Sequence, residues 1–146
     1  LDYKNTSIEV YFSLWSETVF SMAHVTDKLG IFPTYTQKRG DWHRPKPPIR
    51  PRQYNFSEWK YSTGLVETLD MPSLVDKIVH TFQDKVHIIN ELKEELQLKL
   101  RFQIVPYIKD GISPAFSFTP EQMQFAIDIG VVFDIDQYIF GFVEED

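Results

Sequence analysis

Apolar and polar residues alternate through residues 7–15 (SIEVYFSLW), with Ile8, Val10, Phe12 and Leu14 on one side and Glu9, Tyr11, Ser13 and Trp15 on the other. Side chains of an extended chain point to opposite faces in turn, so this pattern predicts a half-buried strand. The same period returns in residues 54–61 (YNFSEWKY) and in residues 98–108 (LKLRFQIVPYI), where Leu98, Leu100, Phe102 and Ile104 oppose Lys99, Arg101 and Gln103. A further strand is expected over residues 131–140 and a short one at 115–118, after the Asp110-Gly111 turn. Pro106 has no backbone donor, which predicts a bulge or an edge position there.

In residues 73–97 the period becomes helical. Leu74, Val75, Ile78, Val79, Phe82, Val86, Ile89, Leu92 and Leu96 fall within roughly 140° of a helical wheel, a stripe broad enough to face a core. One helix of about six turns fits, with a break near Asp84 as the variant. A shorter helix lies within residues 16–29, capped by Ser16 or Ser21 and stopped by Gly30. Thr119-Pro120-Glu121-Gln122 is a capping box that opens a last helix, and Gly130 closes it. This order of elements predicts an α+β fold: a single mixed or antiparallel sheet of about four to six strands, with two to three helices packed mostly on one face.

A chain of 146 residues is near the usual size of one domain, so residues 1–146 are expected to form a single domain. Its 12 Phe, 7 Tyr and 3 Trp are a high aromatic load, and such rings either fill a core or leave an aromatic surface for a partner. No apolar run reaches about 18 residues, which excludes a membrane-spanning helix. No basic segment followed by an apolar stretch opens the chain, so a cytoplasmic location is expected. The absence of cysteine excludes disulfides, thiolate chemistry and cysteine-based zinc sites.

Charge changes the picture more than composition does. The stretch from 37 to 53 contains QKRGDWHRPKPPIRPR, with four prolines and six cations, Lys38, Arg39, Arg44, Lys46, Arg50 and Arg52, against Asp41 alone. This is a local excess of five positive charges, so with a total of −6 the remaining chain carries eleven negative ones. Proline interrupts both ladders and helices, which predicts an extended basic loop on the surface of an acidic body.

The residues VTDKLGIFPT at 25–34, then Gly40-Asp41, then Trp59 with Ser62, then GVVFDIDQY at 130–138, make an ordered set of punctuation marks. In that order and spacing, over residues 7–140, the chain resembles the small bacterial proteins grouped as the domain of unknown function 4279 family. The resemblance implies a single α+β domain from a bacterium and supplies no catalytic residues. It also associates the chain with bacterial toxin neighbourhoods. The proline-rich insert after Gly40-Asp41 departs from the pattern.

Three constellations carry candidate chemistry. Asp134 and Asp136 project to one face of a strand, where two carboxylates can hold Mg²⁺ or Ca²⁺ or divide acid and base roles. No third acid or glycine turn accompanies them, and Tyr138 shares their face, so a solvent-facing or structural role is favoured. His80, Asp84, His87 and Glu91 recur at helical spacing, but the histidines are two turns apart, roughly 10 Å along the axis, and solvated i,i+4 pairs explain them better than a metal. Asp41, Trp42, His43 and Arg44, with Arg39, Arg50 and Arg52, form a mixed basic and aromatic loop that could grip a phosphate or a nucleic-acid backbone, but the acidic body repels a polyanion and a solvated loop is favoured. Nucleophile elbows, glycine-rich phosphate loops and H-E-x-x-H are absent, and His24 stands in no motif.

The leading expectation is a non-enzymatic protein-interaction module, in its specific form an immunity-type inhibitor that masks a basic partner with an acidic, aromatic surface. No cofactor or metal is expected, nucleic acid is disfavoured as a partner by the acidic body, and a homodimer is compatible with the charge contrast. The alternative is a small-ligand or nucleic-acid binding module using the basic proline-rich loop. A metal-dependent enzyme using Asp134 and Asp136 ranks last.

Overall fold

The computed structural model describes residues 5–141, so the terminal acidic run 144–146 lies outside the described residues. Its central element is the first alternating stretch, β1 (Ser7–Ser16). There follow α1 (Met22–Leu29), β2 (Tyr35–Gln37), β3 (Trp42–His43), β4 (Arg52–Gln53), β5 (Ser57–Ser62), β6 (Val66–Glu67), α2 (Met71–Phe82), α3 (Val86–Leu96), β7 (Lys99–Lys109), α4 (Pro120–Ile129), β8 (Phe133–Ile135) and β9 (Tyr138–Phe140). The fold is α+β, with a mixed sheet in the order β2-β5-β1-β7-β8. β1 runs antiparallel to β5 and β7, β6 continues along β1 past the end of β5, and β8 and β9 run parallel to β7 on its far side.

The apolar sides of the three long strands meet the helices. Ile8, Val10, Phe12 and Leu14 of β1 are fully buried, with Trp59 of β5 and Phe102 and Ile104 of β7 beside them. Phe12 meets Phe82 of α2 at 4.8 Å between ring centroids, and Trp59 donates its indole N–H to Thr26 Oγ1 of α1 at 3.0 Å. Ile78, Phe82, Leu92 and Phe102 belong to one core cluster, and the half-buried Phe133 packs against it edge-on to Phe102. Ser21 caps α1 and Gly30 ends it at φ 69°, a left-handed conformation that suits glycine. The capping box at Thr119 and Gln122 closes in both directions.

Several elements differ from the sequence expectation, each for a local reason. The main sheet has seven strands rather than four to six, because β2 and β6 are too short to display a period and the last strand divides. That division follows from Pro106. Ile104 accepts the Asp136 N–H at 2.9 Å, so even-numbered residues of β7 direct their backbone groups toward β8 and β9, and proline at 106 has no donor to give. The ladder lapses there and resumes at Tyr107 with Tyr138. Pro106 is thus neither a bulge nor on an edge strand, since β7 has neighbours on both sides; its cost falls on the neighbouring strand.

Among the described residues the 73–97 helix breaks at a 3-10 turn, Gln83–Lys85, so the three expected helices appear as four α-helical segments. The halves share α4 but differ in their other partners: α2 lies on β1, while α3 packs against α1. Residues 115–118 are extended but unpaired, and Phe118 stacks on Phe133 at 4.5 Å. The strand expected from residue 54 starts at Ser57, since the Tyr54 N–H donates back to the Asp41 carbonyl. The basic loop is folded into a hairpin in which Trp42 faces Gln53 and His43 faces Arg52. Among the described residues no helix is long and apolar enough to cross a membrane.

Candidate functional site

Among the described residues no helix lies on the other side of the sheet, and the strand registers fix what stands there. Reading across β2, β5, β1 and β7, one row is Gln37, Glu58, Trp15 and Lys99, and the next is Tyr35, Lys60, Ser13 and Arg101. A third row begins with Ser62 of β5 and continues through Tyr11 and Gln103 to Asp134 of β8. Aromatic rings and long cations therefore alternate over the central strand. Lys60 Nζ lies 4.2 Å from the Tyr11 ring centroid and 5.2 Å from that of Tyr35, and Trp15 carries Lys99 at 4.9 Å and Arg101 at 5.1 Å. Such contacts attract through the negative face of the ring and strengthen as water is excluded.

Glu58 lies beneath this layer, 3% exposed, with Lys60 Nζ at 3.6 Å and Arg101 Nη1 at 3.8 Å. A buried carboxylate between two cations contributes little net stability, because desolvation offsets the attraction, but it holds both cations over the sheet. Ser13, directly between Lys60 and Arg101, is fully buried by their stems. Ser13 Oγ, Glu58 Oε2 and Gln103 Oε1 are buried without a hydrogen-bond partner in the chain. Burial holds the Tyr11 hydroxyl above its usual pKa, with the Arg101 charge pulling the other way. Tyr35 is also pushed up, first by burial and then by the neighbouring Tyr54 hydroxyl.

The basic hairpin closes one end of this face. Arg39 donates its backbone N–H to Ser57 Oγ and its guanidinium to the Glu17 carbonyl, both at 2.9 Å, and so reaches the same hollow as Trp15, Phe56 and Arg101. His43 Nδ1 lies 3.1 Å from the Tyr54 hydroxyl, and Arg44 sits 5.5 Å over the exposed Trp42 ring. The Asp41 carbonyl serves the hairpin backbone, and Arg50 and Arg52 are exposed on it. Of the sequence candidates, then, Arg39 joins the sheet-face cluster, while Asp41, Trp42, His43, Arg44, Arg50 and Arg52 belong to the hairpin.

Asp134 and Asp136 stand at the opposite margin of the face, both exposed. Asp134 accepts from Gln103 Nε2 at 2.9 Å, and Asp136 accepts from the Tyr138 hydroxyl at 3.2 Å, which raises the pKa of that phenol. No group of three or more metal-ligating side chains occurs among the described residues. On the helix layer, His87 pairs with Glu91 at 2.9 Å as expected, but His80 turns to Glu121 at 3.9 Å instead of Asp84, because α4 packs beside α2. His24 pairs with Glu95 at 2.7 Å.

Sequence reasoning missed Tyr11, Ser13, Trp15, Glu58, Lys60 and Arg101 as a unit. Tyr11, Ser13, Trp15 and Arg101 lie opposite the apolar side of their strands in the sequence pattern, whereas Glu58 and Lys60 share a side with Tyr54 and Phe56, so alternation alone assigns that strand no face. The available signal was that three separate strands place aromatics and charges, rather than small polar residues, on that side.

A family model described as "Domain of unknown function (DUF4279)" matches residues 5–140. The chain belongs to this family. The match runs from the start of β1 to the end of β9, so the DUF4279 region includes both the cation-aromatic sheet face and the basic hairpin. No curated protein and no solved structure matches the chain.

Proposed function

We propose that this DUF4279 domain is a non-enzymatic protein-interaction module that receives an acidic surface of its partner on the helix-free face of the sheet. The observation that carries the reading is the company kept by the aromatic rings. Tyr11, Trp15, Tyr35, Trp42 and Phe140 each lie beside a lysine or arginine. Aromatic and arginine side chains supply most hot spots in protein interfaces, and a charged rim steers encounter. Meanwhile α1 to α4 hold seven acids against three lysines, so the helix layer has the opposite sign of charge, a net −4.

This moves the sequence expectation in one respect. An acidic, aromatic surface for a basic partner requires rings among acids, whereas here they stand among cations. An inhibitor of the immunity type would then mask an acidic target. Nucleic acid is less favoured because stacking needs open ring faces, and the chain's own cations cover those of Tyr11 and Trp15.

Panning a random peptide library against the domain tests the reading. Acidic peptides are expected to be enriched by the native chain and lost with the double variant Arg39→Glu and Lys99→Glu. Enrichment of lysine- and arginine-rich peptides, unaffected by that variant, overturns it in favour of the helix layer.

A further inference from the structure

We infer that the hollow of about 310 Å³ lined by Trp15, Glu17, Arg39, Asn55, Phe56 and Arg101 is a carboxylate-binding subsite. Its ligand is an aspartate or glutamate side chain of the partner, so the inference rests on the interaction reading above. Two guanidinium groups from distant parts of the chain converge here, one from the base of the hairpin and one from the central sheet. Each is held by the chain before any ligand arrives. Arg39 is anchored through Nη1 to the Glu17 carbonyl, and Arg101 lies over Trp15, whose ring stands edge-on to Phe56 at 6.0 Å. A fork fixed in advance loses little freedom on binding.

Arg101 approaches Glu58 only to 3.8 Å, which is beyond hydrogen-bond length, so that ion pair positions the guanidinium without consuming its N–H groups, while one side of the guanidinium turns to the Tyr11 hydroxyl. A planar carboxylate matches the paired N–H groups of a guanidinium, and Asn55 adds an amide at the wall. The local charge selects the same ligand. Of the lining residues, Arg39 and Arg101 face Glu17 alone, leaving one net positive charge, which suits a monoanion better than a phosphate dianion. The larger hollow at the other end of the face lacks this character: Lys60 is its only cation, already beside Glu58, and Glu9 lines it.

The test is a ¹H–¹⁵N NMR titration of the full chain with a capped tripeptide bearing glutamate between two glycines, its glutamine counterpart, and inorganic phosphate. The glutamate peptide is expected to shift the Trp15 indole and Asn55 amide signals saturably, at least about tenfold more tightly than the glutamine peptide. Arg39→Gln should weaken that binding by about tenfold and Asn55→Ala by about threefold, with the fold retained because both residues are exposed. Absence of saturable shifts at Trp15 and Asn55, equal binding of the glutamine peptide, or tighter binding of phosphate overturns the assignment. If the glutamate peptide binds here while the library yields no acidic peptides, the subsite stands and the wider interaction reading fails. If acidic peptides are enriched but these signals do not move, the subsite alone is wrong.

Discussion

The two faces of β1 are buried by different materials. Phe12 and Leu14 are covered by helices and by the aromatic rings of neighbouring strands, whereas Ser13 between them is equally inaccessible beneath the stems of Lys60 and Arg101. On the first face, burial comes from apolar groups with no competing use for water. On the second, the covering groups keep partial contact with solvent, since the side chains of Lys60 and Arg101 are 23% and 33% exposed. The helix face therefore supplies stability, and the open face can rearrange its charged layer when something binds. One strand serves both purposes because its side chains alternate.

The contrast is easiest to break at Phe12. Phe12→Ala removes a ring packed on Phe82 and Phe102 and should cost about 3–5 kcal/mol in chemical denaturation. A loss under about 1 kcal/mol would mean the helix face is loosely packed. Across the sheet, Glu58→Ala leaves Lys60 and Arg101 without their shared carboxylate. Breaking a fully buried pair costs about 3–5 kcal/mol, but these cations can turn to water, so a loss of about 1–2 kcal/mol is expected by the same measurement.

Alkaline pH separates the faces without substitution. The Tyr11, Tyr35 and Tyr138 phenols have folded pKa values above the ordinary 10.0, so each favours the folded state while the unfolded phenol stays neutral. Their contribution is complete below pH 10 and is lost as pH rises through the folded values. A melting temperature that falls above pH 10, with phenol absorbance titrating late, is the expected result; phenols that ionise at the ordinary pH would show that the open face is well solvated.

A smaller effect sharpens the comparison further. Ser13→Ala removes a buried hydroxyl that has no hydrogen-bond partner, so stability should be unchanged or rise by up to about 1 kcal/mol. A clear loss would place an unrecognised bond at Ser13. The smallest effect belongs to the hairpin: replacing Arg44, Lys46, Arg50 and Arg52 by serine should change stability by less than about 0.5 kcal/mol, because these side chains are not buried and lie off the sheet. The same variant should weaken polyanion binding most at low salt. Failure to fold would show the hairpin charges to be paired with the body.

Legibility followed length. β1 and β7 each show enough alternation for their faces to be assigned, β5 alternates with aromatics on both sides, and the caps at Ser21 and Thr119 announce their helices because capping is a local hydrogen bond. β2 and β6 span three and two residues, and nothing in so short a segment distinguishes a strand from a loop. The break after Phe82 was only one of two readings, since the apolar stripe runs across it and the partners of α2 and α3 differ only in space. Of the candidate site, Arg39 was legible as a basic loop residue, but its place beside Arg101 depends on how the hairpin returns over the sheet.

The sequence by itself determined most of the residues that form the core and which sides of β1 and β7 meet it, because apolar burial is nearly additive and its period is written in the order of residues. It also determined the charge contrast between the hairpin and the rest of the chain. Tertiary structure alone decided that the polar sides of three strands form a single cation-aromatic layer, since cation–aromatic contacts and a shared carboxylate depend on register between strands, and no one strand carries that information.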